Sequence, residues 1–164
     1  MKLEKKFKVE DGKLLFLDGR ELAVCKDRVE AKDCNSRLAA AADSAKLLVI
    51  NLPWTQVGLD EENYNEEFLA AFRDFLKELE ERSVYAAIVP VADKLPGEGE
   101  EEAFVQSFKH CARRIKDCVS VAGFAVPQQA DSDYFMAELS QKHEQYVFFS
   151  TDKEHLQNSK IVNL

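Results

Sequence analysis

The sequence lacks the motifs by which most nucleotide-binding and hydrolytic sites are recognised. Its six glycines build no glycine-rich phosphate loop, and Gly97 and Gly99 are flanked by glutamates that would repel a phosphate group. Gly-x-Ser-x-Gly and His-Glu-x-x-His motifs are also absent. We therefore expect no cofactor, and no familiar catalytic constellation is specified.

Cysteine and histidine are too sparse and too scattered to indicate a metal site. None of the four cysteines belongs to a Cys-x-x-Cys pair, and no histidine lies at ligand spacing from two of them. The residues in question are Cys25, Cys34, Cys111, Cys118, His110, His143 and His155. We expect no bound metal, reduced thiols in or near the core, and histidines at the surface or its boundary.

Long apolar runs and basic stripes are missing too. No run approaches the roughly 18 residues of a membrane-spanning helix, and the N-terminal stretch MKLEKKFKVEDGK has no apolar segment typical of a secretory signal. The formal net charge is −8, with no basic stripe that would favour nucleic acid. These absences predict a cytoplasmic protein that binds neither membranes nor nucleic acid.

The chain does have the composition of a folded domain. Its 164 residues are 46% hydrophobic and 32% charged, which suffices for a sizeable core. No internal repeat or low-complexity linker divides them. We therefore interpret residues 1–164 as a single α/β domain.

Strand and helix patterns alternate along this domain. Two Asp-Gly turns, Asp11-Gly12 and Asp18-Gly19, predict short hairpin strands over residues 7–25. Apolar strands are predicted near 22–25, 47–52, 85–91, 120–126 and 146–150. Helices are predicted over 33–43, from Asn63 or Asn65 through an apolar stripe at 68–79, around 104–115, and over 131–143. The predicted fold is a parallel sheet of about five βα units preceded by a short N-terminal hairpin.

Candidate ligand-binding residues follow from this organisation. In parallel α/β folds, ligands bind at the carboxyl ends of the strands. The residues predicted at those ends are Asn51, Trp54, Asp93, Gln128 and Gln129, with Thr151 and Asp152 after the last strand. A tryptophan at a strand end can stack against a sugar ring. The alternative is that these residues only form turns and caps.

Several stretches together resemble one enzyme family. The hairpin VEDGKLLFLDGRELAV at 9–24, the strand end VINLPW at 49–54, the helix NYNEEFLAAFRDFLKELEERSV and the segment AFVQSFKHCARRIKDCVSVAGFAVPQQA are the stretches concerned. They resemble the first half of a (β/α)8 glycoside hydrolase of the cellulase and mannanase type, the glycoside hydrolase family 5 clan. The resemblance implies a half-barrel fold and a carbohydrate ligand.

The same resemblance implies that the catalytic groups are missing. The family's fourth strand ends in Asn-Glu-Pro, and here Gln128, Gln129 and Ala130 take those places. An amide at Gln129 cannot deliver the proton that the family's acid/base glutamate supplies, so hydrolysis by two carboxylates is not available. Asn51 stands where the family has an arginine, and the later strand that carries the nucleophile is not present. We expect a non-catalytic relative that acts as a carbohydrate-binding or protein-interaction module.

Two further possibilities stay open at this point. Five strands also fit a flavodoxin-like, doubly wound open sheet, such as a receiver-like or STAS-like signalling module. Asp93 and Lys153 lie roughly where a receiver needs its acceptor and its lysine, but only Asp27 follows the first strand where two acids are required. An enzyme with unrelated chemistry is the third possibility, without residues that specify it.

The half-barrel hypothesis carries a prediction about assembly. A sheet with helices on one side only would leave an apolar face open, and burial of apolar surface favours covering it. We therefore expect a homodimer through the exposed sheet face.

Overall fold

A computed structural model describes residues 3–152, 154–158 and 160–164, and Lys153 lies outside this range. A two-stranded antiparallel hairpin of β1 (Phe7–Glu10) and β2 (Lys13–Phe16) comes first. The main sheet has six parallel strands. They are β3 (Ala23–Glu30), β4 (Lys46–Pro53), β5 (Ala86–Val91), β6 (Val121–Ala125), β7 (Val147–Ser150) and β8 (Ile161–Asn163).

Five α-helices connect the strands of the main sheet. They are α1 (Ser36–Ala41), α2 (Trp54–Val57), α3 (Glu66–Glu81), α4 (Glu101–Arg114) and α5 (Ser132–Ser140). Short 3-10 turns occupy Ala31–Asp33 and His155–Gln157. No described helix is long and apolar enough to cross a membrane.

The strand order confirms the half-barrel prediction. The strands lie side by side in chain order, from β3 to β8, with every neighbouring pair parallel. A doubly wound sheet instead reverses direction at a switch point and places helices on both faces. All the buried helix residues pack with one set of strand residues, exemplified by Ile50, Ile88 and Phe124. The flavodoxin-like alternative is therefore wrong, because one constant direction of crossover puts every helix on the same side.

The N-terminal hairpin covers the opposite face of the sheet. Phe7, Leu14 and Leu22 form a second buried cluster with the alternate strand residues, which include Val49 and Phe149. Leu14 is 1% exposed and Phe149 is completely buried. The homodimer prediction rested on this face being open; it remains a prediction, but the hairpin already supplies the cover that a partner was expected to give.

Helix α3 shows how directly the sequence specifies its local structure. The Asn65 side chain accepts a hydrogen bond from the Phe68 backbone N–H at 3.1 Å, which satisfies one of the free donors of the first turn. Glu66 and Glu67 follow at the positive end of the helix. The chain leaves the helix through Ser83, whose φ of 58° lies in the left-handed region.

Four elements differ from the prediction. The first strand of the main sheet was predicted near 22–25, and β3 runs further, from Ala23 to Glu30. The predicted helix over 33–43 is shorter, at Ser36–Ala41. The short helix α2 and the sixth strand β8 were not predicted, and the described residues of the connection from β7 to β8 form a 3-10 turn where a full βα unit has a helix. Strand β8 is held from both sides, since Leu164 N–H donates to Ser150 O at 3.0 Å and Asn163 N–H donates to Gly12 O at 2.8 Å.

The other outer strand, β3, is irregular along its pairing with β4. Val24 pairs with Leu47 and Arg28 with Val49, so the intervening residues bulge out of the ladder. The bulge carries Lys26 and Asp27, both exposed. An outer strand of this kind offers no regular row of free backbone groups.

Candidate functional site

The candidate residues lie along one rim of the sheet, which we call the carboxyl edge: the ends of β3 to β7 and the loops that leave them. The face of the sheet that the hairpin covers is called the inner face. On this face, strand pairing places Glu30 beside Asn51 and Asn51 beside Val89. On the other half of the sheet, Ala125 pairs with Phe149. The polar side chains of the inner face therefore gather at the β3–β4 end of this edge.

Asn51 has an unsatisfied hydrogen-bond acceptor. Its Nδ2 donates to Glu30 Oε1 at 3.3 Å, while its Oδ1 is buried and has no hydrogen-bond partner among the described residues. Because the carboxylate of Glu30 can only accept, the amide orientation is fixed by this contact. A buried acceptor left without a donor costs about 1–3 kcal/mol. Because Asn51 as a residue is only half-buried, a small movement of its amide toward the carboxyl edge would let a ligand donor reach Oδ1 and recover that free energy.

Trp54 is placed where it cannot serve as a stacking platform. Its side chain is completely buried and packs edge-to-face on Phe104, with ring centroids 5.1 Å apart. The indole Nε1 donates to Ser107 Oγ at 3.0 Å, and Ser107 Oγ donates to Gly58 O at 2.7 Å. The expectation that Trp54 presents a face to a sugar ring is corrected here: the tryptophan ties α2 to α4 inside the helix layer.

Asp93 is exposed at the end of β5, but its carboxylate is already engaged. Thr55 donates both its backbone N–H, at 3.1 Å, and its hydroxyl to the two carboxylate oxygens. Since Thr55 lies in the first turn of α2, the carboxylate caps that short helix. Asp93 therefore positions the loop after β4, and a ligand would have to compete with Thr55 for it.

Gln128 and Gln129 are predicted site residues whose side chains are exposed and unengaged. Both are exposed in the turn after β6, and neither side chain forms a hydrogen bond within the described part of the chain. The turn is anchored on both sides: Pro127 is buried, and Asp131 caps α5 by accepting from the Tyr134 backbone N–H at 2.9 Å. The two amides are thus held at the carboxyl edge with their donors and acceptors free.

Two features of the edge were not predicted. The position of Glu30 beside Asn51 follows from the pairing of β3 with β4. This pairing depends on a bulge in β3 that has no recognisable sequence signal. After β7, Ser150 Oγ lies 2.8 Å from His155 Nδ1 and accepts from Asp152 N–H at 3.0 Å.

This grouping of a serine, a histidine and an acid is not arranged as a catalytic triad. His155 Nε2 is 4.0 Å from Asp152 Oδ2, beyond hydrogen-bond distance. Ser150 is only 2% exposed, so its hydroxyl cannot reach a substrate. The cluster closes the turn after β7.

Three of the four thiols are held in the protonated, unreactive form. Burial raises the pKa of Cys34, Cys111 and Cys118 to about 12, so each stays protonated at neutral pH. In the described ranges no group of three histidine, cysteine, aspartate or glutamate side chains could hold a metal ion.

Comparison with known proteins identifies the architecture. No protein-family model matches the chain, and no curated protein matches it. Among solved structures, an endogalactoceramidase matches with a TM-score of 0.67 and 11% identity, over 98% of this chain and 59% of that one. The catalytic domain of Thermobifida fusca endoglucanase Cel5A, in complex with cellotetraose, matches with a TM-score of 0.57 and 13% identity, over 88% and 52%.

A third solved structure has a similar fold. The hyperthermophilic endocellulase of Pyrococcus horikoshii matches with a TM-score of 0.52 and 11% identity, over 88% of this chain and 56% of that one. What is shared is the fold. The chain has the fold of a glycoside hydrolase barrel over little more than half the length of these enzymes.

Proposed function

We propose that this chain is a non-hydrolytic carbohydrate-binding half barrel whose ligand lies at the carboxyl edge. The observation that carries the proposal is Oδ1 of Asn51, which has no donor within the described residues and belongs to a side chain that is only half-buried at the carboxyl edge, beside the accepting carboxylate of Glu30. A sugar hydroxyl can donate to such an oxygen and accept from a nearby amide at the same time. In ligand sites, a small number of placed polar groups of this kind fixes the orientation and the specificity of the ligand.

The free amides of Gln128 and Gln129 extend the proposed surface. Each amide offers two donors and one acceptor oxygen, so the pair can follow a chain of hydroxyl groups without adding charge. Asp93 and Trp54 support this surface indirectly, through Thr55 and Ser107. We leave Trp54 out of the contact residues because its ring is completely buried.

The absence of hydrolysis is the second part of the proposal. Glycoside hydrolysis needs two carboxyl groups on opposite sides of the scissile bond, one of which donates a proton. At the end of β6, where the resemblance places the acid/base glutamate, the chain has Gln129. Asp93, at the end of β5, is engaged by Thr55.

One observation favours the protein-interaction form of the module. Leu95 is 75% exposed in the loop after β5, which is high for a large apolar side chain. A protein that docks on the carboxyl edge would cover it. Substitution Leu95→Ser separates the two, because a protein partner would lose binding while a sugar would not.

The test is titration of the protein with cellotetraose and with mannotetraose, followed by two-dimensional ¹⁵N–¹H NMR. We expect saturable shifts at residues of the carboxyl edge, and loss of these shifts in the double variant Gln128→Ala, Gln129→Ala. Gln145→Ala is the matched control, since Gln145 precedes β7 at the opposite end of the sheet. Equal loss in the control, or no saturable shift with either sugar, would overturn the proposed site.

A second assay addresses catalysis. Reducing ends released from cellotetraose by the wild-type protein should not exceed those released by buffer. Hydrolysis that exceeds buffer and disappears on substitution of Glu30 by Gln would show that the chain is an enzyme, and the non-hydrolytic part of the proposal would be abandoned.

A further inference from the structure

The end of the sheet opposite the carboxyl edge carries three exposed basic residues. Arg113 lies in the last turn of α4, Lys116 in the loop that follows, and Lys142 in the segment between α5 and β7; all three are exposed. Within the described residues, none of them forms an ion pair with a carboxylate. In a chain of net charge −8, such a concentration of unpaired cations is unexpected.

Two cavities meet at this surface. One, of about 840 Å³, lies between α3 and α4, and the other, of about 540 Å³, lies between α4 and α5. Arg113 and His110 line both, so they form the ridge that the cavities share. The surface is therefore concave on both sides of Arg113.

The carboxylates that line these cavities are mostly neutralised. Glu138 is 2.9 Å from Lys109 Nζ, and Glu66 is 2.9 Å from Arg114 Nε and 2.5 Å from His110 Nε2. Glu80 is paired with Lys77, and Asp117 with Arg73. Glu61 is the remaining lining carboxylate of the described residues, and it is exposed. An incoming anion would meet little uncompensated negative charge.

His143 lines the smaller cavity together with Arg113 and Lys142, while Lys116 lines the larger cavity on the other side of the Arg113 ridge. The His143 ring packs against Tyr146, with centroids 5.8 Å apart. Burial, followed by the charges of Lys116, Lys142 and Arg113, holds the pKa of His143 below its ordinary value. A field that opposes protonation of a histidine is also one that attracts an anion.

We propose that the surface formed by Arg113, Lys116, Lys142 and His143, which we call the cationic cleft, binds a small molecule through a phosphate- or sulfate-like dianion. A guanidinium can donate two parallel hydrogen bonds to such a group, while ammonium groups act as point charges around it. A purely structural role would be to stabilise the negative, carboxyl-terminal end of α4 with a positive charge. This role can explain Arg113, but it cannot explain Lys116 or Lys142, because both lie outside that helix.

The cationic cleft is separate from the proposed carbohydrate site. Lys116 precedes β6 and His143 precedes β7, so both lie at the amino ends of these strands. Binding at the two ends of the sheet can be measured independently, and failure of one proposal leaves the other intact.

The test is calorimetric titration with inorganic phosphate and with pyrophosphate. The double variant Arg113→Gln, Lys142→Gln should raise the dissociation constant by about tenfold or more, since one charge-assisted hydrogen bond is worth at least that factor. The matched control is Lys26→Gln, Arg28→Gln, which removes the same two charge types from exposed positions on β3. Equal weakening in both variants would mean general charge attraction and would overturn the site.

A measurement on the wild-type protein keeps the test independent of any folding defect. Sulfate, whose charge does not change around neutral pH, should raise the pKa of His143 saturably when the imidazole is followed by NMR, and should bind more tightly as the pH falls through that pKa. An unshifted His143 at saturating anion, or binding confined to vesicles that contain anionic lipid, would refute a small-molecule site.

Discussion

Phe7 and Tyr85 meet edge to face, with ring centroids 5.0 Å apart and ring planes at 89°. Phe7 belongs to the hairpin and Tyr85 precedes β5, so this pair fastens the hairpin to the amino end of the central strands. Phe16 completes the contact, with its centroid 5.1 Å from Phe7 and 5.7 Å from Tyr85. The hairpin is thus attached by aromatic contacts as well as by the apolar cluster beneath it.

The first prediction concerns the cover of the sheet. Phe7 is 4% exposed, and replacing a buried phenylalanine costs about 3–5 kcal/mol. Phe7→Asp should loosen the hairpin, expose the inner face and cause concentration-dependent association. Light scattering should give a larger mass for the variant than for the wild-type protein at the same concentration, against a mass of 18.6 kDa for one chain.

Leu17→Asp is the control for this experiment, since Leu17 lies beside the same hairpin but is 59% exposed. It should leave the mass unchanged. A stable wild-type dimer would support the homodimer prediction and would show that another surface mediates it.

The second prediction is that one substitution at Asn51 raises the stability of the fold and weakens sugar binding. Asn51→Leu removes the unsatisfied Oδ1, and its apolar side chain suits the inner face, so the free energy of unfolding should rise by about 1 kcal/mol. The same change should weaken cellotetraose binding. Denaturant unfolding and the NMR titration measure the two effects; lower stability together with unchanged binding would contradict our account of Asn51.

The third prediction concerns the close approach of β6 and β7. A Cβ added at Gly123 would lie 1.6 Å from the backbone oxygen of Val147, which is sterically impossible without movement of a strand. Gly123→Ala should therefore destabilise the fold by about 3 kcal/mol or more. Gly99→Ala is the control, because no atom lies within 4 Å of its added Cβ and only its φ of 82° is unfavourable. Similar losses for both variants in thermal unfolding would argue against the close strand contact.

The fourth prediction is a pH dependence at the end of the helix layer. A hydrogen bond from Arg73 holds the pKa of Asp117 below its ordinary value. A lowered pKa stabilises the folded state above the unfolded value and loses that contribution as the pH falls through the folded value. Asp117→Asn should thus lower stability at neutral pH and have little effect in acid. The free energy of unfolding of both proteins should be measured from neutral pH down to acid pH. A difference between them that does not change with pH would show that the Arg73–Asp117 ion pair is not its cause.

The parts of the fold that the sequence predicted are those encoded by local patterns. The apolar stripe and the Asn65 cap define α3, and the two Asp-Gly turns define the hairpin region, without reference to distant residues. The continuous apolar strands then leave a parallel sheet as the natural arrangement. Strand β8 was missed because its three residues, at the end of a polar tail, are too few to form a pattern.

The sequence predicted that the candidate residues lie at strand ends, but not the contacts that they make there. Gln128 and Gln129 are exposed at the carboxyl edge, as their place after an apolar strand implied. The burial of Trp54 could not be foreseen, because it depends on Ser107, a residue 53 positions away on another helix. The contact between Asn51 and Glu30 likewise depends on how β3 is paired with β4. Local sequence locates strand ends, while tertiary pairing decides which side chains meet there.

The hydrogen bond from Asn163 N–H to Gly12 O also affects the tendency of the protein to aggregate in concentrated solution. An open sheet has two outer strands, and unprotected strands of this kind recruit further chains into growing assemblies. Here the hairpin turn occupies the backbone of β8, and on β3 the charged bulge interrupts the ladder. Any strand that extended the sheet beyond β8 would first have to displace the hairpin turn, so the same short segment that fills the half barrel also works as a barrier to fibre formation.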